Sequence, residues 1–180
     1  MLRITIPGGE YYDSKENRFY EVKGQTLSLE HSLVSISKWE SKWHKPFLTA
    51  DTKTIEETRD YIRCMTLTQN VDPKVYNMLT GENVRQVNAY MEDPMTASWV
   101  NDPVNSGRNR ETITSELIYY WMIALNIPME CQKWHLNRLL MLVRICNAKN
   151  QPPKKMSTAE IMRRNSRLNA ARKKAMHTKG

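Results

Sequence analysis

The chain has 180 residues, enough for one domain of ordinary size with an appendage. Its formal net charge of +8 sits at one end: nine of the 27 Lys/Arg and one of the 19 Asp/Glu, Glu160, fall after Asn150, which leaves a neutral body and a cationic tail. No apolar run approaches the ~20 residues a membrane span needs, no charged-then-apolar leader opens the chain, and the three cysteines (Cys64, Cys131, Cys146) are odd in number, so the expectation is no membrane, no secretion and reduced thiols in a cytoplasm.

Leu2, Ile4 and Ile6 alternate with polar neighbours, which is strand periodicity. Pro7-Gly8-Gly9 reads as a turn, Glu10–Tyr12 as a second strand, Asp13–Asn17 as a polar turn, Arg18–Val22 as a third strand and Lys23-Gly24 as another turn. Residues 1–27 are therefore expected to form a small antiparallel hairpin or meander that leans on helices. Ser28 is the expected N-cap of a helix carrying Leu29, Leu33, Ile36, Trp39 and Trp43, which ends near Lys45-Pro46. Trp39 and Trp43 share a face, and core packing outweighs base or ligand stacking there.

Thr54-Ile55-Glu56-Glu57 is a capping box, and the helix behind it is expected to bury Ile55, Thr58, Ile62 and Met65. Asp72-Pro73 opens another helix, with Val75 and Leu79, that Gly81 is expected to stop. Asn83 is the expected cap of a short helix with Val84, Val87 and Met91, ended by Asp93-Pro94. Met95–Arg110 has the turn chemistry of a surface loop, with room for a brief strand at Thr96–Val100.

The stretch Glu111–Asn150 is the expected centre of the fold. Thr112 or Thr114 caps a helix with Ile113, Leu117, Ile118, Trp121, Met122 and Leu125 at helical spacing, and Glu116 suits the positive end of its dipole. Asn126-Ile127-Pro128 interrupts the pattern, with Pro128 expected in the first turn of a second helix. That helix carries Leu136, Leu139, Leu140, Val143 and Cys146 on one stripe, widened by Trp134, Met141, Leu142 and Ile145, so the pair is expected to form a buried helical hairpin. The fold class is thus mainly α: a helical body over residues 1–150, an N-terminal β element over 1–27, and a basic linker and helix over 151–180.

Gln151-Pro152-Pro153-Lys154-Lys155 reads as a stiff basic linker, and Ser157-Thr158-Ala159-Glu160 as a second capping box. The helix from Thr158 to about Met176 has a thin apolar stripe, Ile161, Leu168, Ala171 and Ala175, too weak to dock by itself. Its stripe and its cations make Ile161, Arg163, Arg164, Arg167, Leu168, Arg172, Lys173 and Lys174 the candidate partner-binding residues.

No catalytic constellation stands out: there is no glycine-rich phosphate loop, no Cys-x-x-Cys and no Gly-x-Ser-x-Gly. Cys131 and His135, four apart, would share a helix face, but two ligands fall short of the four a structural zinc needs. Neither catalytic residue, metal nor cofactor is expected, and the expectation is a non-enzyme.

Three segments, Leu27–Leu48, Asp93–Val100 and Ile113–Asn147, resemble the tail assembly chaperones of long-tailed bacteriophages. The resemblance implies a mostly helical protein of the host cytoplasm that coats the tape-measure protein while the tail forms and meets other tail proteins there. It also implies a short and a frameshifted extended form, with residues 151–180 ending the short one. Self-association stays open. Two competing expectations are a nucleic-acid-binding protein acting through the cationic tail, and a structural tail or connector protein whose N-terminal strands add to a neighbour's sheet. The tail has no aromatic for base stacking, which weighs against the first. The 11 methionines suit adaptable surfaces, although most are expected to fill core gaps.

Overall fold

The structure, a computed structural model, describes residues 1–13, 16–49, 51–99, 112–150 and 157–177. The fold is mainly α with an antiparallel β element at its N-terminus. Met1–Lys149 form one compact unit and Asn150–Gly180 a second. No helix among the described residues is long and apolar enough to cross a membrane.

Strands β1 (Leu2–Ile6), β2 (Gly9–Asp13), β3 (Arg18–Val22) and β4 (Gln25–Leu29) pair antiparallel, β1 with β4 and β2 with β3. Ile6 lies opposite Gln25 and Gly9 opposite Val22, so one register runs through both pairs. The chain reverses once, between β2 and β3. Pro7–Gly9 and Lys23-Gly24, expected as turns, instead interrupt the two limbs of a single long hairpin.

What changes at that interruption is the facing. Ile4, Ile6, Leu27 and Leu29 point into the core before it; beyond it Tyr11, Tyr20 and Val22 turn inward, while Glu10, Tyr12, Phe19 and Glu21 turn out. The inward side thus passes from even to odd positions on the first limb and from odd to even on the second. A strand's side chains alternate, so the ribbon has rolled over without losing its pairing. The limbs nearly touch there: a Cβ on Gly8 would lie 2.7 Å from Gly24 N, and one on Gly24 2.8 Å from Gly8 N. Gly24→Ala is therefore expected to lower stability by ~1–3 kcal/mol, because the clash is with backbone. Gly81→Ala, whose Cβ meets nothing within 4 Å, serves as the control that keeps the thermal midpoint.

The ribbon docks through its backbone. Leu67 N–H donates to Ser28 O at 2.8 Å and Glu30 N–H to Met65 O at 2.9 Å, so the chain leaving helix α2 (Ile55–Met65) forms a short bridge beside β4. Ser28 and Leu29 are held in this pairing. Helix α1 (Leu33–Trp43) accordingly starts later than its apolar spacing suggests, capped by Ser32 instead of Ser28, and ends at His44 in the left-handed region. Leu33, Ile36 and Trp39 are buried. Trp39 stacks on Trp43 at 6.1 Å, meets Phe47 edge-on at 5.2 Å and donates its indole N–H to Glu57 O at 3.0 Å.

Thr54 caps α2 through its capping box with Glu57. Ile55 at the first helical position is 78 % exposed and not part of the core; Tyr61, Ile62 and Met65 form the buried face. Asp72 and Pro73 open a 3-10 helix, Pro73–Met78, that ends before Gly81. Gly81 starts helix α3 (Gly81–Glu92) instead of stopping a helix: Thr80 is the cap and Asn83 its reciprocal partner. A glycine after a helical run reads as a stop, but the Thr-x-x-Asn box around it has the stronger local geometry. Met95–Trp99 form no strand, and residues 100–111 lie outside those described.

Helix α4 (Ser115–Ala124) is capped by Thr114, with Glu116 in its first turn. Pro128 does not begin the next α-helix; it caps the 3-10 helix Met129–Lys133, and α5 (Leu136–Asn150) follows after Trp134 and His135. Cys131 and His135 consequently do not share a helix face. His135 bridges Ser32, and Leu136 N–H donates to His31 O at 2.7 Å. Each half of the central stretch buries one stripe, Ile118 and Met122 on α4 and Leu136, Leu139 and Val143 on α5, but the two do not pack together as the expected hairpin: α4 and the Met129–Lys133 segment between them lie against α1 instead. Helix α1 meets α2, α4 and the Met129–Lys133 turn, which makes it the post about which the body assembles.

Two buried imidazoles lie at this junction. The His31 and His135 rings meet edge-on at 5.2 Å. His31 Nδ1 lies 2.5 Å from the Tyr61 hydroxyl. His135 Nε2 faces the Tyr90 carbonyl at 3.0 Å, and Asn137 N–H faces Nδ1 at 3.3 Å, so His135 is the neutral tautomer with its proton on Nε2. Burial, with the neighbouring His135 second, pushes the His31 pKa down to about 3, and burial also lowers that of His135. Between pH 6.5 and 3 the unfolded chain then binds more protons than the folded one. Stability is expected to be full above pH 6.5 and to fall on acidification by on the order of a few kcal/mol. Urea midpoints at pH 7.5 and 4.5 check this, and His31→Gln should flatten the dependence.

Candidate partner-binding helix

Helix α6 (Thr158–Met176) is encoded locally and completely. Ser157 Oγ accepts from Glu160 N–H at 3.2 Å, and Glu160 Oε2 accepts from Ser157 N–H at 2.9 Å, which closes the capping box. At the other end His177 adopts the left-handed conformation and donates its N–H to Lys173 O. Glu160 in the first turn and Lys173 and Lys174 in the last suit the helix dipole. None of its residues is buried.

All eight candidate residues lie on this helix. Ile161, Leu168 and Ala175 recur at seven-residue steps, and Ala171 falls between the last two, so they line one edge of the cylinder. Arg163, Arg167 and Lys174 lie on the opposite side, and Arg164 and Arg172 flank the apolar line. Glu160, Arg163, Arg164, Arg167 and Leu168 together border one shallow depression; Arg172, Lys173 and Lys174 lie further along the helix, outside it. Hydrogen bonds from Ser157 hold the Glu160 carboxyl below its usual range, so the one acid of the tail stays ionised but is committed to the cap. The result is a helix with a thin apolar edge and cations around it. Ile161, Met162 and Leu168 are about half exposed or more. The linker residues 151–156 lie outside the described residues.

The body offers a polar centre that the sequence did not announce. Glu40 on α1 is buried, and its carboxylate accepts from Phe47 N–H and from Ser115 N–H, both at 2.7 Å. Ser115 is the first residue of α4, so Glu40 caps the positive end of that helix from another element. In sequence Glu40 is one charged residue between Trp39 and Ser41, and nothing in its spacing points to a partner 75 residues away. Asp60 on α2 accepts from Lys42 Nζ at 2.5 Å and from the Trp43 indole N–H at 2.9 Å. Both carboxylates hold the fold together. Among the described residues no group of three or more His, Cys, Asp or Glu is placed to hold a metal ion.

No protein-family model, curated protein or solved structure matches this chain.

Proposed function

We propose that the chain is a non-enzymatic assembly chaperone of bacteriophage tails, which engages the tape-measure protein in the host cytoplasm through helix α6. The observation that carries this reading is a helix finished at both caps with no buried residue of its own. An isolated helix of this length is marginal in water, and a helix this exposed gains stability chiefly from a partner. Its heptad-spaced edge of Ile161, Leu168 and Ala175 fits another helix better than a pocket or a small molecule. The resemblance of Leu27–Leu48, Asp93–Val100 and Ile113–Asn147 to tail assembly chaperones is what favours the tape-measure protein as that partner, with other tail proteins as further contacts.

A nucleic acid is the second reading, favoured by the surplus of cations on α6. The two separate in one binding assay. Ile161→Ser with Leu168→Ser is expected to weaken binding to a tape-measure helix at least about tenfold, with a modest response to salt. Binding to duplex DNA would ignore those substitutions and fall with salt at a log–log slope of about 0.9 per phosphate neutralised. The second pattern, without measurable tape-measure binding, would overturn the proposal. A third possibility, a structural tail or connector protein, predicts the chain in stoichiometric amounts in purified particles; a chaperone is missing or scarce there.

A further inference from the structure

The roll of the β-ribbon leaves one face of β2 and β3 exposed among the described residues. The inward face of β2 and β3 carries Tyr11, Tyr20 and Val22 and packs toward the 3-10 helix Pro73–Met78. The outward face carries Tyr12 opposite Phe19 and, one pair further along, Glu10 opposite Glu21. The two aromatic rings meet at 4.9 Å while Tyr12 is 45 % and Phe19 66 % exposed. The Tyr12 hydroxyl donates to Asn17 Oδ1 in the turn, which fixes the ring before any partner arrives. Beside this apolar platform two carboxylates face each other directly across the strands. Such like-charge pairs destabilise a sheet, and among the described residues neither Glu10 nor Glu21 has a cation to offset it. Arg18 and Lys74 lie over the Tyr20 ring, on the other face.

We propose that this outward face, Glu10–Tyr12–Phe19–Glu21, docks a basic, apolar segment of a partner protein, which places an arginine between the two carboxylates and its apolar neighbours on the aromatic pair. Charge complementarity selects the occupant. An arginine is the one side chain that can pair with both carboxylates and stack on a ring at the same time. Nucleic acid and anionic lipid are repelled by the same two carboxylates. An exposed aromatic pair in a fixed geometry is the kind of rigid anchor on which interface energy concentrates. The surface belongs to the body and makes no use of helix α6, so it stands or falls independently of the function proposed above.

The test uses the full chain, isotope-labelled, with an N-acetylated hexapeptide of alternating leucine and arginine as the probe. A leucine–glutamate peptide of the same length is its control. The leucine–arginine probe is expected to shift the backbone amide signals of β2 and β3, and the control is not. Glu21→Lys converts the opposed acids into an ion pair, so it should raise the thermal midpoint by about 1–3 °C while weakening probe binding about tenfold or more. Phe19→Ser, at an exposed site, should weaken the probe comparably without that rise. A gain in stability together with a loss of binding is the signature of a face kept strained for a partner. Equal binding of both peptides, undiminished binding to Glu21→Lys or Phe19→Ser, or shifts confined to other elements would each overturn the proposal.

Discussion

Leu139→Asp is expected to abolish cooperative folding. Leu139 lies in the middle of the buried stripe of α5 and is fully enclosed. The substitution removes apolar contacts and puts a carboxylate into the hydrophobic core. Loss of the leucine alone costs ~2–5 kcal/mol, and an unpaired buried carboxyl adds several more unless it stays protonated. The total is comparable with the ~5–15 kcal/mol that stabilises a typical domain. The variant should appear in inclusion bodies or as an aggregate without a sharp thermal transition. Leu139→Ala should fold with a lowered midpoint, which separates loss of packing from burial of charge. A wild-type melting curve for Leu139→Asp would show that this face of α5 is open to solvent.

Glu40→Ala is the next largest effect expected. Its carboxylate accepts two backbone N–H groups from segments that are otherwise far apart, Phe47 after α1 and Ser115 at the start of α4. Removing it leaves both donors unpaired in the interior and takes a negative charge from the positive end of α4. Each unsatisfied buried donor costs ~1–3 kcal/mol, so a loss of roughly 3–5 kcal/mol is expected, seen as a fall in the urea midpoint. Glu40→Gln should recover only part of this, because its amide oxygen can accept one donor and its NH2 then faces the other. Hydrogen exchange should locate the damage: the amides of Phe47 and Ser115 should both lose protection in Glu40→Ala and one of the two in Glu40→Gln, and those of β1 and β4 should keep theirs.

The elements legible from sequence were those whose signals are local. Helix α6 runs from Thr158 to Met176 because Ser157 and Glu160 form a capping box and because good helix formers follow without a break. The same holds for the Thr54 box of α2, the Thr114 cap of α4 and strand β3 at Arg18–Val22. Alternation of Leu2, Ile4 and Ile6 was enough to place β1 with its inward face. The charge of the tail is a matter of composition, and so is the exposure of a helix whose apolar stripe is thin.

Facing and long-range partners belonged to the tertiary structure alone. The sequence shows Pro-Gly-Gly and Lys-Gly, and such pairs reverse a chain more often than they roll a ribbon. Which occurs depends on whether Gly8 and Gly24 come to lie against one another, a contact between residues 16 positions apart. Ser28 has the chemistry of a cap, yet its backbone is taken by pairing with Leu67, and Ser32 caps α1 in its place. The 3-10 helix after Pro128 delays α5 because His135 is drawn into a bridge with Ser32. In each case the local preferences of two neighbouring residues are nearly balanced, and a hydrogen bond from a distant segment tips them. Sequence therefore determined that this chain is a neutral helical body with a β-ribbon and a cationic, self-capped helix. Only packing decided that Glu40 would cap a helix 75 residues away and that Tyr12, Phe19, Glu10 and Glu21 would face outward together. A backbone amide left without a partner in the interior costs more than any local propensity returns, so the long-range contacts prevail.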